Sequence, residues 1–382
     1  MNLEGDLTVT LAHDGRQVRR VDVKSTRPQV AARLLTGKPA VEAATTIPLL
    51  FAVCGGAQGA AAASALSAAG AAGFAGDTAA RVAGIVVESL QEGFWHLLIG
   101  WPNAMASQPN VTPVTAARYL IATSARTPDG TDLLGDAAAM RALAEGLRQI
   151  ARKAIFGRDP AAFLDLTDVG ALEAWAAVTD TLPARLLRHV IADTSAPTGD
   201  GVALMPVPDG AWLAATIAPA LAGQAGFAQA PTLDGAPVET GALARMHAHP
   251  LVAACAQRYG HGAVTRLVAR LAEIPAALDE LAGAGHGAGT RVQGVALGPG
   301  NGLAAVETAR GLLLHRAGVH DECVIDYQIV APTEWNFHPQ GALVRALTGM
   351  PANDESALLR HARLAVHTLD PCVACRVQVA HA

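Results

Sequence analysis

The chain has 382 residues, 51% of them hydrophobic, 16% charged and 4% aromatic, with a formal net charge of −5. Such a chain can bury a large core and is not disordered. It has no basic block or basic–aromatic interleaving, so nucleic-acid binding lacks its electrostatic footprint. Abundant Ala and Gly with few rings call for a core built on close contacts between small side chains.

Apolar residues alternate over residues 2–24, at Leu3, Leu7, Val9 and Leu11, then Val18, Val21 and Val23. Asp14-Gly15 lies between the two runs, which predicts a β-hairpin over 1–25. Met1 to Thr10 shows no apolar segment behind a positive start, and Arg19-Arg20 is followed by Val-Asp-Val-Lys, which is no twin-arginine signal. A cytoplasmic protein is therefore expected. Residues 28–37 read as a short helix ended by Gly37-Lys38-Pro39. Val53 to Gly76 carries no charge but consists mostly of Ala, Gly and Ser. It lacks the Leu/Ile/Phe density and the anchors of a membrane span, so a buried packing helix is expected and no membrane partner.

Residues 77–100 predict a long helix, capped by Asp77 or Thr78 and striped by Val82, Val86, Leu90 and Phe94. Helical patterns continue over about 136–156, 159–177, 181–192, 210–225, 248–258 and 261–282, until the Gly-rich stretch Gly283 to Gly289. Then the period changes. Arg291 to Leu297, Leu303 to Leu314 and Cys323 to Val330 read as strands, and Asp354 to Leu364 as a last helix. A CxxC and a short polar tail close the chain. No repeat or separating linker appears. The prediction is an α+β fold, mainly α, as a single domain over 1–382: a hairpin at 1–25, a helical body over 26–290, and strands, a helix and the CxxC over 291–382.

Five cysteines are present: Cys54, Cys255, Cys323, Cys372 and Cys375. An odd number in a reducing compartment argues against a disulfide framework. The pair Cys372/Cys375 can chelate a soft metal or form a redox dithiol, although no βαβ context supports a thioredoxin-like site. Two buried free thiols are an equal reading of the spacing alone. Cys255 and Cys323 read as small buried hydrophobes. His247-Ala-His249 has ligand spacing but no third ligand nearby and is read as a loop. Gly298-Pro-Gly-Asn-Gly302 precedes a strand and has no Lys-Ser/Thr, so it is not a phosphate loop.

The wider context of the cysteines is more specific. Asp370-Pro371-Cys372-x-x-Cys375 resembles the C-terminal DPCxxC signature of nickel–iron hydrogenase large subunits, and Phe51-Ala-Val-Cys54-Gly55 resembles their N-terminal CGxC signature. Glu307-Thr-Ala-Arg310-Gly311 through His315 resembles the E-A-P-R-G…H segment. Tyr327-Gln328 through Pro332-Thr333 to Trp335-Asn336 resembles the YQ…VPSTWN segment, and Leu3-Glu4-Gly5 the opening EGH strand. The matches follow the family's order and cover roughly the first 70 and last 90 residues.

The resemblance implies a hydrogenase large-subunit-like fold and a metal site. Cys54 and Cys372 match terminal nickel ligands, and Cys375 matches a ligand that bridges nickel and iron. Arg310 and Thr333 match the residues that point donors at the cyanides on iron. Buried cyanide nitrogens need such donors, whereas carbon monoxide prefers an apolar wall, for which Leu312 and Val330 are candidates. Glu4 matches a glutamate near a peripheral metal site, and His315 a histidine that is either near the metals or merely structural. The departures concern nickel. Ala57 replaces the second cysteine of the first motif, Ala61 a family histidine, and Gln378 the histidine that ends the second motif. The chain also ends soon after that motif, without the tail that many precursors lose.

An iron–cyanide–carbonyl half that is kept beside a depleted nickel half resembles the HupK and HoxV type of hydrogenase expression protein. The resemblance implies a non-enzymatic maturation scaffold. It would carry iron with cyanide and carbon monoxide, without nickel, and its partners would be hydrogenase maturation chaperones and the large-subunit precursor. The alternatives are a divergent hydrogenase-like oxidoreductase and a metal-free structural subunit.

Overall fold

The structure, a computed structural model, describes residues 5–27, 30–51, 53–74, 78–126, 133–193, 202–283 and 291–381. Glu4, the Asp77 cap and most of the stretch after Gly283 lie outside these residues.

The predicted hairpin is present as antiparallel strands Asp6–His13 and Val18–Ser25. Leu7, Val9 and Leu11 are buried on one face, as the alternation requires. A third strand, Ala374–His381, pairs in parallel with the first, Asp6 opposite Ala374 and His13 opposite His381. The expected polar tail is therefore a sheet strand. Val377 and Val379 pack on the hairpin core while Arg376 and Gln378 face out. This pairing joins the two ends of the chain and seats the CxxC beside the N-terminal hairpin.

A four-stranded antiparallel meander follows, made of Val292–Gly298, Asn301–Thr308, Gly311–His320 and Cys323–Val330. The single strand expected over 303–314 is two strands with a tight turn at Ala309-Arg310. Gly311 permits that turn: its φ is +125°, and a Cβ there would lie 2.4 Å from Thr240 Cγ2.

Helix Gly55–Ala68 lies flat on the meander, and Ala57, Ala61, Ala62 and Ala65 are fully buried beneath it. At Gly302 an added Cβ would sit 2.2 Å from the carbonyl oxygen of Ala65. Only small residues on both surfaces allow this approach, which is how a core poor in rings closes here.

The helical body includes Thr78–Trp95, Ala137–Ala151, Leu182–Ala192 and the central helix Ala263–Leu281. The long helix predicted over 77–100 changes to a π-turn at His96–Gly100 before the short helix Trp101–Ala104. Helix Val111–Ser124 was not predicted, because its Thr/Pro-containing start carries no clear apolar stripe. The last helix extends beyond the expected Leu364 and runs Glu355–Leu369. The central helix is buried almost throughout, with Arg266, Arg270 and Glu273 inside. Those charges are paired: Arg266 makes two 2.8 Å contacts to Glu239. No helix among the described residues is long and apolar enough to cross a membrane.

Candidate metal centre

Cys54 immediately precedes helix Gly55–Ala68, and the first amides of that helix are capped from another element. The Glu88 carboxylate accepts from Gly56 N at 2.9 Å and from Ala57 N at 3.4 Å. A carboxylate suits a helix N-terminus. Burial nonetheless pushes the Glu88 carboxyl up to about 7, against those two hydrogen bonds. The Cys54 thiol is pushed up to about 12 by burial, with the Cys372 and Glu88 charges adding to the effect.

Three neutral side chains lead to Cys54. Gln58 Nε2 donates to Sγ at 3.6 Å, a normal length for a sulfur acceptor. Gln58 Oε1 lies 2.8 Å from His315 Nε2, and His315 Nδ1 lies 2.7 Å from the Tyr327 hydroxyl. With the amide so oriented, His315 donates through Nε2–H and accepts from Tyr327 at Nδ1. Burial holds His315 neutral by pushing its pKa down to about 3. His315 therefore acts on the site through Gln58, one residue after Ala57.

Cys372 is placed by a helix end. Asp370 ends Glu355–Leu369 in the left-handed region, at φ +53°, and Pro371 stops further helix. Asp and Asn tolerate that backbone better than other non-glycine residues. The Asp370 carboxylate lies 3.0 Å from Arg270 Nη2, 3.5 Å from Arg310 Nε and 3.6 Å from His96 Nδ1. Burial opposes ionisation of Asp370, but Arg310, His96 and Arg270 outweigh it and hold the carboxyl well below the usual carboxylate range. The turn presents Cys372 Sγ to Arg27 Nη2 at 3.0 Å and to Thr333 Oγ1 at 3.0 Å. Thr333 Oγ1 accepts from Cys372 N at 3.2 Å, which leaves its proton for the sulfur. Asn336 fixes this corner: its Oδ1 accepts from Thr240 N at 2.9 Å, and its Nδ2 donates to the carbonyls of Arg310 and Leu369, both at 3.4 Å.

Arg310, at the meander turn, donates to Glu92 at 3.0 Å. It lines a pocket of about 490 Å³ together with Val53, Glu92, Trp95, Pro371 and Cys372. The apolar wall is thus Val53, Trp95 and Pro371. Leu312 and Val330, the expected wall, instead pack with Trp335 inside the meander core.

The structure thus brings Cys54, Cys372, Arg310 and Thr333 together and sets Cys375 apart. Cys375 is the second residue of the C-terminal strand and packs against the hairpin core, facing a separate groove with Asp6, Thr8 and Arg363. Burial pushes its thiol up to about 11. No cluster of three His, Cys, Asp or Glu side chains is poised for one metal among the described residues. Two soft thiol donors, with a guanidinium whose Nε is buried without a hydrogen-bond partner, fit an iron unit that carries acceptor ligands. They do not fit a four-thiolate nickel–iron pair, because Ala57 and Ala61 carry no thiol or imidazole and Gln378 faces out, donating to Thr10 at 2.9 Å.

Arg27, Glu88, Glu92 and Arg270 are missing from the sequence-predicted set. Each is an unremarkable charged residue in its own segment, and only the fold brings it to the site. The other candidates are structural. His249 Nε2 lies 3.1 Å from the Leu164 carbonyl, and His247 Nδ1 lies 2.7 Å from that of Ala244. Cys255 is buried in the helical core, as expected, whereas Cys323 is only half-buried at a strand start.

Comparison with known proteins bears on the family and the fold. A Nickel-dependent hydrogenase family profile matches residues 288–378. The chain is 31% identical to the hydrogenase expression/formation protein HoxV of Cupriavidus necator, over 93% of this chain and 91% of the relative. It is 34% identical to the hydrogenase expression/formation protein HupK of Azotobacter vinelandii, over 100% of both chains. The chain belongs to the HupK/HoxV family of hydrogenase expression/formation proteins. The fold of this HupK/HoxV-family protein is that of hydrogenase large subunits. It matches the Ni-Fe-Se hydrogenase of Desulfovibrio vulgaris Hildenborough with a TM-score of 0.58 and 17% identity, over 94% of each chain.

Proposed function

We propose that this protein serves hydrogenase maturation as a carrier, not as a turnover enzyme. Its cargo would be an iron unit bearing cyanide and carbon monoxide. Cys54 and Cys372 would hold the iron, while Arg310 and Thr333 would donate to cyanide nitrogen. The partners would be the maturation chaperones and the hydrogenase large-subunit precursor, and the site would take no nickel.

One observation supports this reading: Cys372 is bonded to Thr333 and lines a pocket with Arg310 and Val53, and the Cys54 thiol, from the other end of the chain, is near enough to feel the charges of Cys372 and Arg310. Ligation by two protein sulfurs suits a cargo that must leave for a site with more ligands. Position 57 weighs against the rival reading as a divergent hydrogenase, since alanine there supplies no thiolate.

The test is infrared spectroscopy on protein purified anaerobically after co-expression with the maturation machinery, with iron and nickel assayed on the same sample. Cyanide and carbonyl bands with iron and without nickel are expected, and they should be lost in Cys54→Ser and Cys372→Ser. Iron and nickel together would favour the enzyme. Absence of bands and metal would leave a structural protein.

A further inference from the structure

Part of the pocket that Cys372 lines is walled by two helices that carry none of the matched motifs. Helix Thr78–Trp95 contributes Gln91, Glu92 and Trp95, and helix Val111–Ser124 contributes Arg118. Val114 and Ala117 bury the second helix in the same core as Leu90 and Phe94, which fixes its rotation and leaves Arg118 on the pocket side. Burial falls from one end of the pocket to the other. Glu92 and Arg310 are buried at its base, Cys372 is half-buried, and Arg118 and Ala374 are exposed at its mouth. Glu92, the carboxylate on this lining, is taken by Arg310 at 3.0 Å. Among the described residues, no carboxylate pairs with Arg118. The mouth of the pocket therefore carries an uncompensated guanidinium, on a chain whose formal net charge is −5.

A cation in a concave mouth with apolar walls, here Val53, Trp95 and Pro371, focuses its field along the opening. It draws anions towards a chain whose net charge otherwise repels them. A guanidinium also offers several N–H donors at once to acceptors such as cyanide nitrogen. Arg310 lies too deep for a first encounter, with Glu92 and Asp370 beside it at the base. We propose that Arg118 makes the pocket mouth a binding site for anionic metal–cyanide complexes. It is an outer station, where such a complex is held by charge and hydrogen bonds before any sulfur reaches its metal. That the natural ligand is the iron unit rests on the carrier reading; the anion site itself does not.

The experiment is an anaerobic calorimetric titration of metal-free full-length protein with hexacyanoferrate(II) at low ionic strength. The cyanides of this probe do not exchange for thiols, so it reports the outer contact alone. Wild type should bind it, and Arg118→Gln should bind it about tenfold more weakly. Arg118→Lys should stay near wild type because it keeps the charge, and Arg118→Glu should show no binding. Arg20→Gln removes an exposed hairpin arginine that is already paired with Asp22, and it should bind as wild type does. Added salt should weaken wild type more than Arg118→Gln. Thermal unfolding checks that each variant is folded, and Arg118→Ala replaces Arg118→Gln if that variant is not. The proposal is overturned if wild type does not bind the probe or if Arg118→Gln binds it equally well. A loss in Arg20→Gln as large as in Arg118→Gln overturns it too, since the binding is then diffuse. Co-expressed Arg118→Gln should also yield less cyanide-bearing iron. A wild type without cyanide bands would defeat the carrier reading, yet the hexacyanoferrate(II) comparison would still decide on the anion site.

Discussion

The two sulfurs at the pocket are held by different chemistry. Around Cys372 the supports are charged and come from distant segments: Arg27, Arg310 and Arg270, with Asp370, Glu92 and Glu334 between them. Around Cys54 the hydrogen-bonded chain is neutral, from Tyr327 through His315 and Gln58 to the sulfur. The contrast has an energetic consequence. Removing one member of the charged side strands a buried ion, whereas removing one member of the neutral side leaves an unsatisfied polar atom, a smaller cost unless a remaining member becomes charged.

Asp370 should show the largest effect. Asp370→Ala removes the carboxylate between Arg270 and Arg310 and the left-handed turn that aims Cys372. A loss of about 3–5 kcal/mol is expected in denaturant unfolding, the range for an orphaned buried charge. A loss below about 1 kcal/mol would show that water or another carboxylate takes over, and the contrast between the two sides would disappear.

The neutral side should respond to acid. His315 ionises near 6.5 when unfolded and only near 3 when folded, because burial opposes its charge. Its contribution is therefore complete above pH 6.5 and is lost as pH falls towards 3, since the unfolded state binds the proton first. Between pH 6.5 and 5 this amounts to about 2 kcal/mol for His315 alone. Buried His96 and His367 are also shifted down and act in the same direction. Thermal unfolding across that window should show the decline, and His315→Gln should flatten it. An unchanged slope in the variant would remove His315 as its source.

The same contrast explains what could be read from the sequence. The supports of Cys54 lie within recognisable segments: Gln58 follows the first cysteine motif by one helical turn, and His315 and Tyr327 lie in segments that match the family's motifs. Arg310 and Thr333 were legible from their motifs. The charged supports were not, because Arg27 and Cys372 are 345 positions apart and Arg310 and Glu92 are 218 apart. No local pattern encodes a contact of that span. The C-terminal strand was hidden similarly. Arg376 and Gln378 make it look like a tail until its parallel pairing with Asp6–His13 is known. The turn at Ala309-Arg310 was lost inside an apolar run, since both flanking strands are buried and therefore show no alternation.

Cys375 provides the smallest effect and a sharp test of the two-sulfur site. The motif resemblance makes it a metal ligand, but the structure turns it towards the hairpin core, where it sits opposite Leu7 in the parallel ladder. To join Cys54 and Cys372 it would have to leave that register, and Ala374 beside it would have to unpair from Asp6. If the ladder holds, Cys375→Ser should change stability by less than about 1 kcal/mol, as a half-buried thiol exchanged for a hydroxyl. Iron content should then stay near wild type while Cys372→Ser loses it. If Cys375→Ser empties the site as completely as Cys372→Ser, the start of the C-terminal strand must open when cargo binds. Amide exchange at Ala374 and Cys375 would then rise in the iron-loaded protein, and the sheet that joins the two ends of the chain would be the moving part of the carrier.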